Sequence, residues 1–142
     1  MSQTSFAMKD KPTPKHVLIV DDEAGIVYVF RRYFELHGFR VSVAYDGTSA
    51  LALSEDDPVD ALVTDFRMPG MNGQELVERL KQSAPRLPAV IVSGYSSEIS
   101  VNHPDVRVIG KPVEPLYLVS CVNQLLDDAD TVRGLQDPAA GH

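Results

Sequence analysis

An α/β fold, a doubly wound five-stranded parallel sheet with helices on both faces, is what three features of this 142-residue sequence predict. Short apolar runs suited to buried strands recur five times. Stretches of helical period lie between most of them. Several of these runs end at a polar residue able to do chemistry. An apolar fraction of 44% with 23% charged residues describes one globular domain, long enough to bury a core and too apolar for wholesale disorder.

Residues 1–14 are polar, with Pro12 and Pro14, and read as a loose leader. Residues 17–20 form an apolar run ended by acids, the first strand. From 23 to 37 the period changes: Ile26, Phe30, Tyr33 and His37 line one helical face, Val27 and Phe34 lie beside it, and Gly38 stops the helix. Residues 39–45 alternate as a second strand. Asp46 is placed to cap a helix carrying Ala50, Leu51 and Leu53 that ends near 56–58. Residues 59–64 are a third strand, 69–73 a turn and 74–82 a helix. Residues 87–92 and 106–109 are the fourth and fifth strands. A last helix follows Pro112, with Leu116, Val119, Val122, Leu125 and Leu126 as its buried stripe. The domain spans 15–129, and 130–142, with Gly134, Pro138 and Gly141, read as a tail.

Composition removes several function classes. The net charge of −7 repels phosphate backbones, so direct nucleic-acid binding is not expected. A single cysteine, Cys121, excludes an internal disulfide and a multi-cysteine zinc site, and it reads as packing. Four scattered histidines do not suit a structural metal cage; His16 and His103 have no partners at ligand spacing. No run approaches the length of a membrane span and the N-terminus lacks the apolar stretch of a signal peptide, so a cytoplasmic, uninserted protein is expected.

In a doubly wound sheet, the carboxyl ends of the strands share one crevice where ligands bind. Strand one ends at Asp21 and Asp22, strand three at Asp65, strand four at Ser93 and strand five at Lys111. Taken singly, each has a plainer reading as a helix cap, a turn hydroxyl or a solvated charge. Together they place three carboxylates, a hydroxyl and an ammonium at one edge. Crowded carboxylates call for a cation, and Mg²⁺ with several waters suits an exposed oxygen site. Asp22 and Asp65 would leave open positions on it for phosphate oxygens, which Ser93 and Lys111 are suited to meet. The set fits phosphoryl transfer, with a carboxylate as nucleophile.

These residues sit in four ordered motifs: Val17-Leu-Ile-Val-Asp-Asp-Glu23, Asp65-Phe-Arg-Met-Pro-Gly-Met-Asn-Gly73, Val92-Ser-Gly94 and Gly110-Lys-Pro112. On them the chain resembles the response-regulator receiver domains of two-component signalling, over residues 15–128. The resemblance implies a flavodoxin-like (CheY-like) sheet of order 2-1-3-4-5. It implies Asp65 as phospho-acceptor, with Asp22 and the backbone carbonyl of Arg67 as Mg²⁺ ligands. Asp21 would act on the metal through a water. Ser93 and Lys111 would meet the phosphoryl oxygens, and the Lys111–Pro112 bond, often cis in the family, would aim the lysine inward. The implied donor is a sensor histidine kinase or a histidine phosphotransfer protein.

Two departures from the family stand out. Val108 occupies the place where receivers usually carry a Tyr or Phe whose rotation reports phosphorylation. The segment from Ser93 to Lys111 is short by about one helical turn, so its helix, the fold's fourth, is expected to be short or irregular. Arg67 and Tyr95 are bulky where the family admits the attacking water, so slow self-dephosphorylation is expected. The expected function is a monomeric, single-domain receiver that is no enzyme beyond its own phosphorylation and dephosphorylation, with output through protein contacts or phosphorelay. Two other functions compete: a phosphorylation-independent interaction module, and a Mg²⁺-dependent aspartyl phosphohydrolase. The first is disfavoured by Asp21, Asp22, Asp65 and Lys111. The second would want a general acid where Arg67 stands, and a guanidinium cannot serve at neutral pH.

Overall fold

The computed structural model describes residues 13–95, 99, 101 and 103–136. Three strands are fully buried: β1 (His16–Val20), β3 (Ala61–Asp65) and β4 (Ala89–Ser93). They are continuous apolar runs because helices cover both of their faces. β2 (Arg40–Ala44) and β5 (Val106–Gly110) are only part-buried. All five pair in parallel in the order β2-β1-β3-β4-β5, which puts those two strands at the edges. The predicted fold class and strand order are therefore those found.

Among the described residues, two helices lie over each face. α1 (Ala24–Leu36) and α4 (Pro115–Gln136) cover one, with Phe30, Phe34, Leu118 and Val122 packed among Val17, Ile19, Val63 and Val90. α2 (Gly47–Asp56) and α3 (Gly73–Ser83) cover the other, with Ala50, Leu76 and Val77 among Leu18, Leu62 and Ile91. Each large apolar side chain withdrawn this way contributes about 1.5–3 kcal/mol.

Local chemistry sets the helix ends. Asp46 and Asn72 cap α2 and α3, their side chains accepting from the Ser49 and Glu75 amides at 2.7 and 2.8 Å. α1 stops at Gly38, whose φ of +87° suits glycine. There the Phe39 amide reaches back to the Phe34 carbonyl and the Gly38 amide to that of Glu35, and the two phenyl rings meet edge to face at 5.1 Å. His16, inside β1, is a satisfied core histidine: Nδ1 donates to the Pro58 carbonyl at 2.9 Å, and Nε2 meets Ser42 Oγ at 2.7 Å.

Three sequence expectations need adjustment. On α1 the buried stripe is Val27, Phe30 and Phe34, whereas His37 is exposed. On α4, Leu116 is exposed and Leu118 is buried in its place. Leu116 lies two residues, about 200° of helix, ahead of Leu118 and so faces away from the sheet. α4 also continues to Gln136, past the expected start of a tail at 130. Gly134 does not break it. The leader at 1–12, residues 137–142, and most of the helix expected between β4 and β5 (96–98, 100 and 102) lie outside the described residues. Val108 is part-buried against the cluster under α2 and α3.

Candidate functional site

The parallel register brings the carboxyl ends of β1, β3, β4 and β5 to one edge of the sheet. Asp21 follows β1 and is buried, and its Oδ1 accepts from the Glu23 amide at 2.9 Å. Asp22 beside it is exposed. Asp65, the last residue of β3, is buried, and Ser93, the last of β4, is 2% exposed. Lys111 follows β5; its amide donates to the Ser93 carbonyl at 2.8 Å, and the Lys111–Pro112 bond is cis. The Lys111 ammonium lies 3.0 Å from Asp65 Oδ1. The side chains of Asp21, Asp22, Asp65 and Lys111 thus converge, Ser93 stands at the neighbouring end of β4, and Arg67 lies two residues beyond Asp65 in the turn into α3. A cleft of about 560 Å³, lined in part by Ile26, Val29 and Val113, opens beside Asp21 and Lys111.

Oxygen atoms of Asp21, Asp22 and Asp65 all lie within 4.8 Å of one another. Burial pushes the Asp21 carboxyl up to about 6, and the Asp65 and Asp22 charges push the same way; the Glu23 amide bond and Lys111 act against them. Partial burial alone would lower the Lys111 ammonium, but the hydrogen bond and charge of Asp65, with Asp21 and Glu23, outweigh it and hold it above the usual lysine value. A single ammonium thus faces three carboxylates. An all-oxygen donor set with surplus negative charge fits a hard divalent cation that keeps several waters.

The Asp21 shift has a measurable consequence. Its proton is held more tightly in the folded state than in the unfolded chain, so stability is lost progressively as the pH rises from the ordinary value of 3.8 through about 6. Without divalent cations, Asp21→Asn should raise the melting temperature more at about pH 7.5 than at about pH 4.5, where aspartate is mostly protonated in the folded state. Melting curves of both proteins at the two pH values test this. An equal gain at both would show that Asp21 carries no such burden.

Ser93 and Tyr95 are joined locally: the Tyr95 amide donates to Ser93 Oγ at 3.0 Å. That bond leaves the Ser93 proton free to point elsewhere. The Arg67 guanidinium lies over the Tyr95 ring, 5.7 Å from its centre, spanning the mouth between the loops after β3 and β4. Sequence reasoning had marked both residues but not their contact.

Two buried polar residues escaped it. Thr64 is fully buried and its hydroxyl donates to the Asp65 carbonyl at 2.8 Å. Lys81, near the opposite end of the sheet, donates to Asp105 Oδ1 at 2.7 Å and to the Leu87 and Pro85 carbonyls at 3.0 and 3.1 Å. The available signal for Thr64 was a hydroxyl inside an otherwise apolar run; Lys81 gave none.

Comparison with known proteins agrees with this geometry. The family model described as "Response regulator receiver domain" matches residues 17–122. The response regulator SaeR of Staphylococcus aureus (strain USA300) is 32% identical over 117 residues, which is 78% of this chain and 50% of SaeR. This chain therefore spans about half the length of the curated relatives it matches. Among solved structures, a CheY-like receiver domain protein from Methanospirillum hungatei JF-1 is 29% identical, with a TM-score of 0.78 over 84% of this chain and 98% of that one. A receiver protein from Sinorhizobium medicae WSM419 is 25% identical, with a TM-score of 0.72 over 82% of this chain and 97% of that one.

Proposed function

This chain belongs to the response-regulator receiver domains of two-component signalling, and from that premise we propose that it takes a phosphoryl group onto Asp65 from a histidine kinase or a histidine phosphotransfer protein. The observation that carries the reading is the buried Asp65 carboxylate, 3.0 Å from the Lys111 ammonium and within 4.8 Å of two further carboxylates. A carboxylate oxygen of Asp65 attacks phosphorus, the phosphorus–nitrogen bond of the donor breaks, and the departing imidazole keeps the bond's electrons and takes a proton from water.

Lys111 and the Ser93 hydroxyl each donate to an oxygen of the transferred group, holding charge that builds as the bonds change. Asp22, Asp65 and the Arg67 carbonyl would hold Mg²⁺, with Asp21 acting through a water. The ion, when bound, neutralises the phosphoryl oxygens and orients them. The cleft opens beside Lys111, whose ammonium reaches Asp65.

Output then runs through protein contacts or through onward phosphate flow, from a monomer that does not bind nucleic acid directly and turns over no substrate. No helix among the described residues is long and apolar enough to cross a membrane.

The test is labelling. Wild-type protein should gain a hydroxylamine-sensitive phosphoryl label from a phosphorylated kinase, or from acetyl phosphate with Mg²⁺, and Asp65→Asn should abolish it. Undiminished labelling of Asp65→Asn would remove the assignment.

A further inference from the structure

We propose that Thr64 is a positioning residue for phosphoryl acceptance: its hydroxyl fixes the peptide that follows Asp65, and so the aim of the Asp65 carboxylate and of the Arg67 carbonyl two residues on. The inference rests on the assignment of Asp65 as acceptor.

Strand β3 reads Ala-Leu-Val-Thr-Asp and is buried throughout. A valine has the shape of threonine and would fill position 64 without bringing a polar atom into the core. The hydroxyl costs free energy there unless it is hydrogen-bonded. Its acceptor is the carbonyl of Asp65 itself, 2.8 Å away. By the alternation of a strand, Thr64 shares the face of Leu62, which α2 and α3 cover.

The same carbonyl is confined from a second side. A Cβ added at Gly73, the first residue of α3, would fall on the Asp65 carbonyl oxygen and lie 3.1 Å from Phe66 Cα. The Gly73 amide donates to the Phe66 carbonyl at 2.8 Å, and the Phe66 amide donates to Val92 of β4, also at 2.8 Å. The Asp65–Phe66 peptide is therefore held by a side-chain hydroxyl, by the close approach of a glycine and by the neighbouring strand. Of these, only the Thr64 hydroxyl can be removed with the shape of the core left intact.

Rotation of this peptide would swing the acceptor carboxylate away from Lys111 and move the Arg67 carbonyl with it. Reactions that depend on in-line approach lose much of their rate for small misplacements.

Thr64→Val removes the hydroxyl and keeps the shape; Thr64→Ser keeps the hydroxyl and drops the methyl; Thr64→Ala drops both. Single-turnover labelling by acetyl phosphate over a Mg²⁺ titration is compared with melting temperature for each. Thr64→Val and Thr64→Ala should label about tenfold more slowly and need more Mg²⁺, while Thr64→Ser stays within about twofold of wild type despite its lost methyl. A merely structural role would make the rate follow the melting temperature. Labelling of Thr64→Val at the wild-type rate, or of Thr64→Ser as slowly as Thr64→Val, overturns the proposal. If Thr64→Val does not fold, the Ser and Ala variants carry the same comparison, and equal rates in those two overturn it. A label that survives Asp65→Asn instead overturns the acceptor assignment, and the role of Thr64 falls with it.

Discussion

Lys111→Ala should slow phosphoryl transfer to Asp65 by about 10²–10³-fold, the cost of removing one preorganised donor from a developing anion. The ammonium is already 3.0 Å from Asp65 Oδ1, so it reaches the phosphoryl group without a long reorganisation. Among the described residues it is also the cation that acts on Asp21, whose carboxyl it helps to hold down. The same variant should therefore move the Asp21 titration above about 6 in the metal-free protein. Lys111→Arg should not restore the rate, because a planar fork replaces a compact ammonium 3.0 Å from the acceptor carboxylate. Single-turnover labelling at saturating Mg²⁺ measures all three proteins. A Lys111→Ala rate within threefold of wild type, about 0.65 kcal/mol, would show that the ammonium takes no part.

The second large effect concerns stability. Asp105→Ala should lower unfolding free energy by about 3 kcal/mol, the low end for breaking a buried ion pair. It leaves the Lys81 ammonium, with a side chain only 7% exposed, against two neutral carbonyls. The low end applies because the Asp105 side chain is 20% exposed, so water enters the gap. For a domain of this size the melting temperature should fall by roughly 10 °C. Replacing both partners, Lys81→Met with Asp105→Leu, should recover most of the loss. The pair matters to the site because it ties the end of α3 to the residue before β5, and β5 delivers Lys111. Chemical denaturation checks the figure; a loss under 1 kcal/mol, the scale of an exposed pair, would show that the clamp is ornamental to the fold.

What could be read beforehand, and what could not, follows from where each signal lies. Asp21, Asp22, Asp65, Ser93 and Lys111 were legible because each stands directly after or at the end of an apolar run, and parallel strands bring such ends together. The strand order came with the motifs that contain those residues. The edge strand β2 was legible from its alternation, and the end of α1 from Gly38.

Lys81 was hidden because a lysine in the last turn of an amphipathic helix usually faces water, and its acidic partner is 24 residues away. The bond from Thr64 was hidden because its acceptor is a backbone carbonyl, which carries no sequence signature. The Leu116 assignment failed on phase, since choosing between Leu116 and Leu118 depends on where α4 begins. In each case the missing information was the angle of a helix or the position of a main-chain atom.

The central claim is that Asp65 receives the phosphoryl group, and mapping the modified residue tests it most directly. Protein labelled by acetyl phosphate with Mg²⁺ is reduced with borohydride, which converts an aspartyl phosphate to homoserine, then digested and read by tandem mass spectrometry. The account predicts homoserine at position 65 in wild-type protein and at no other aspartate. Homoserine at Asp21 or Asp22, or an unmodified Asp65 in a labelled chain, would contradict it.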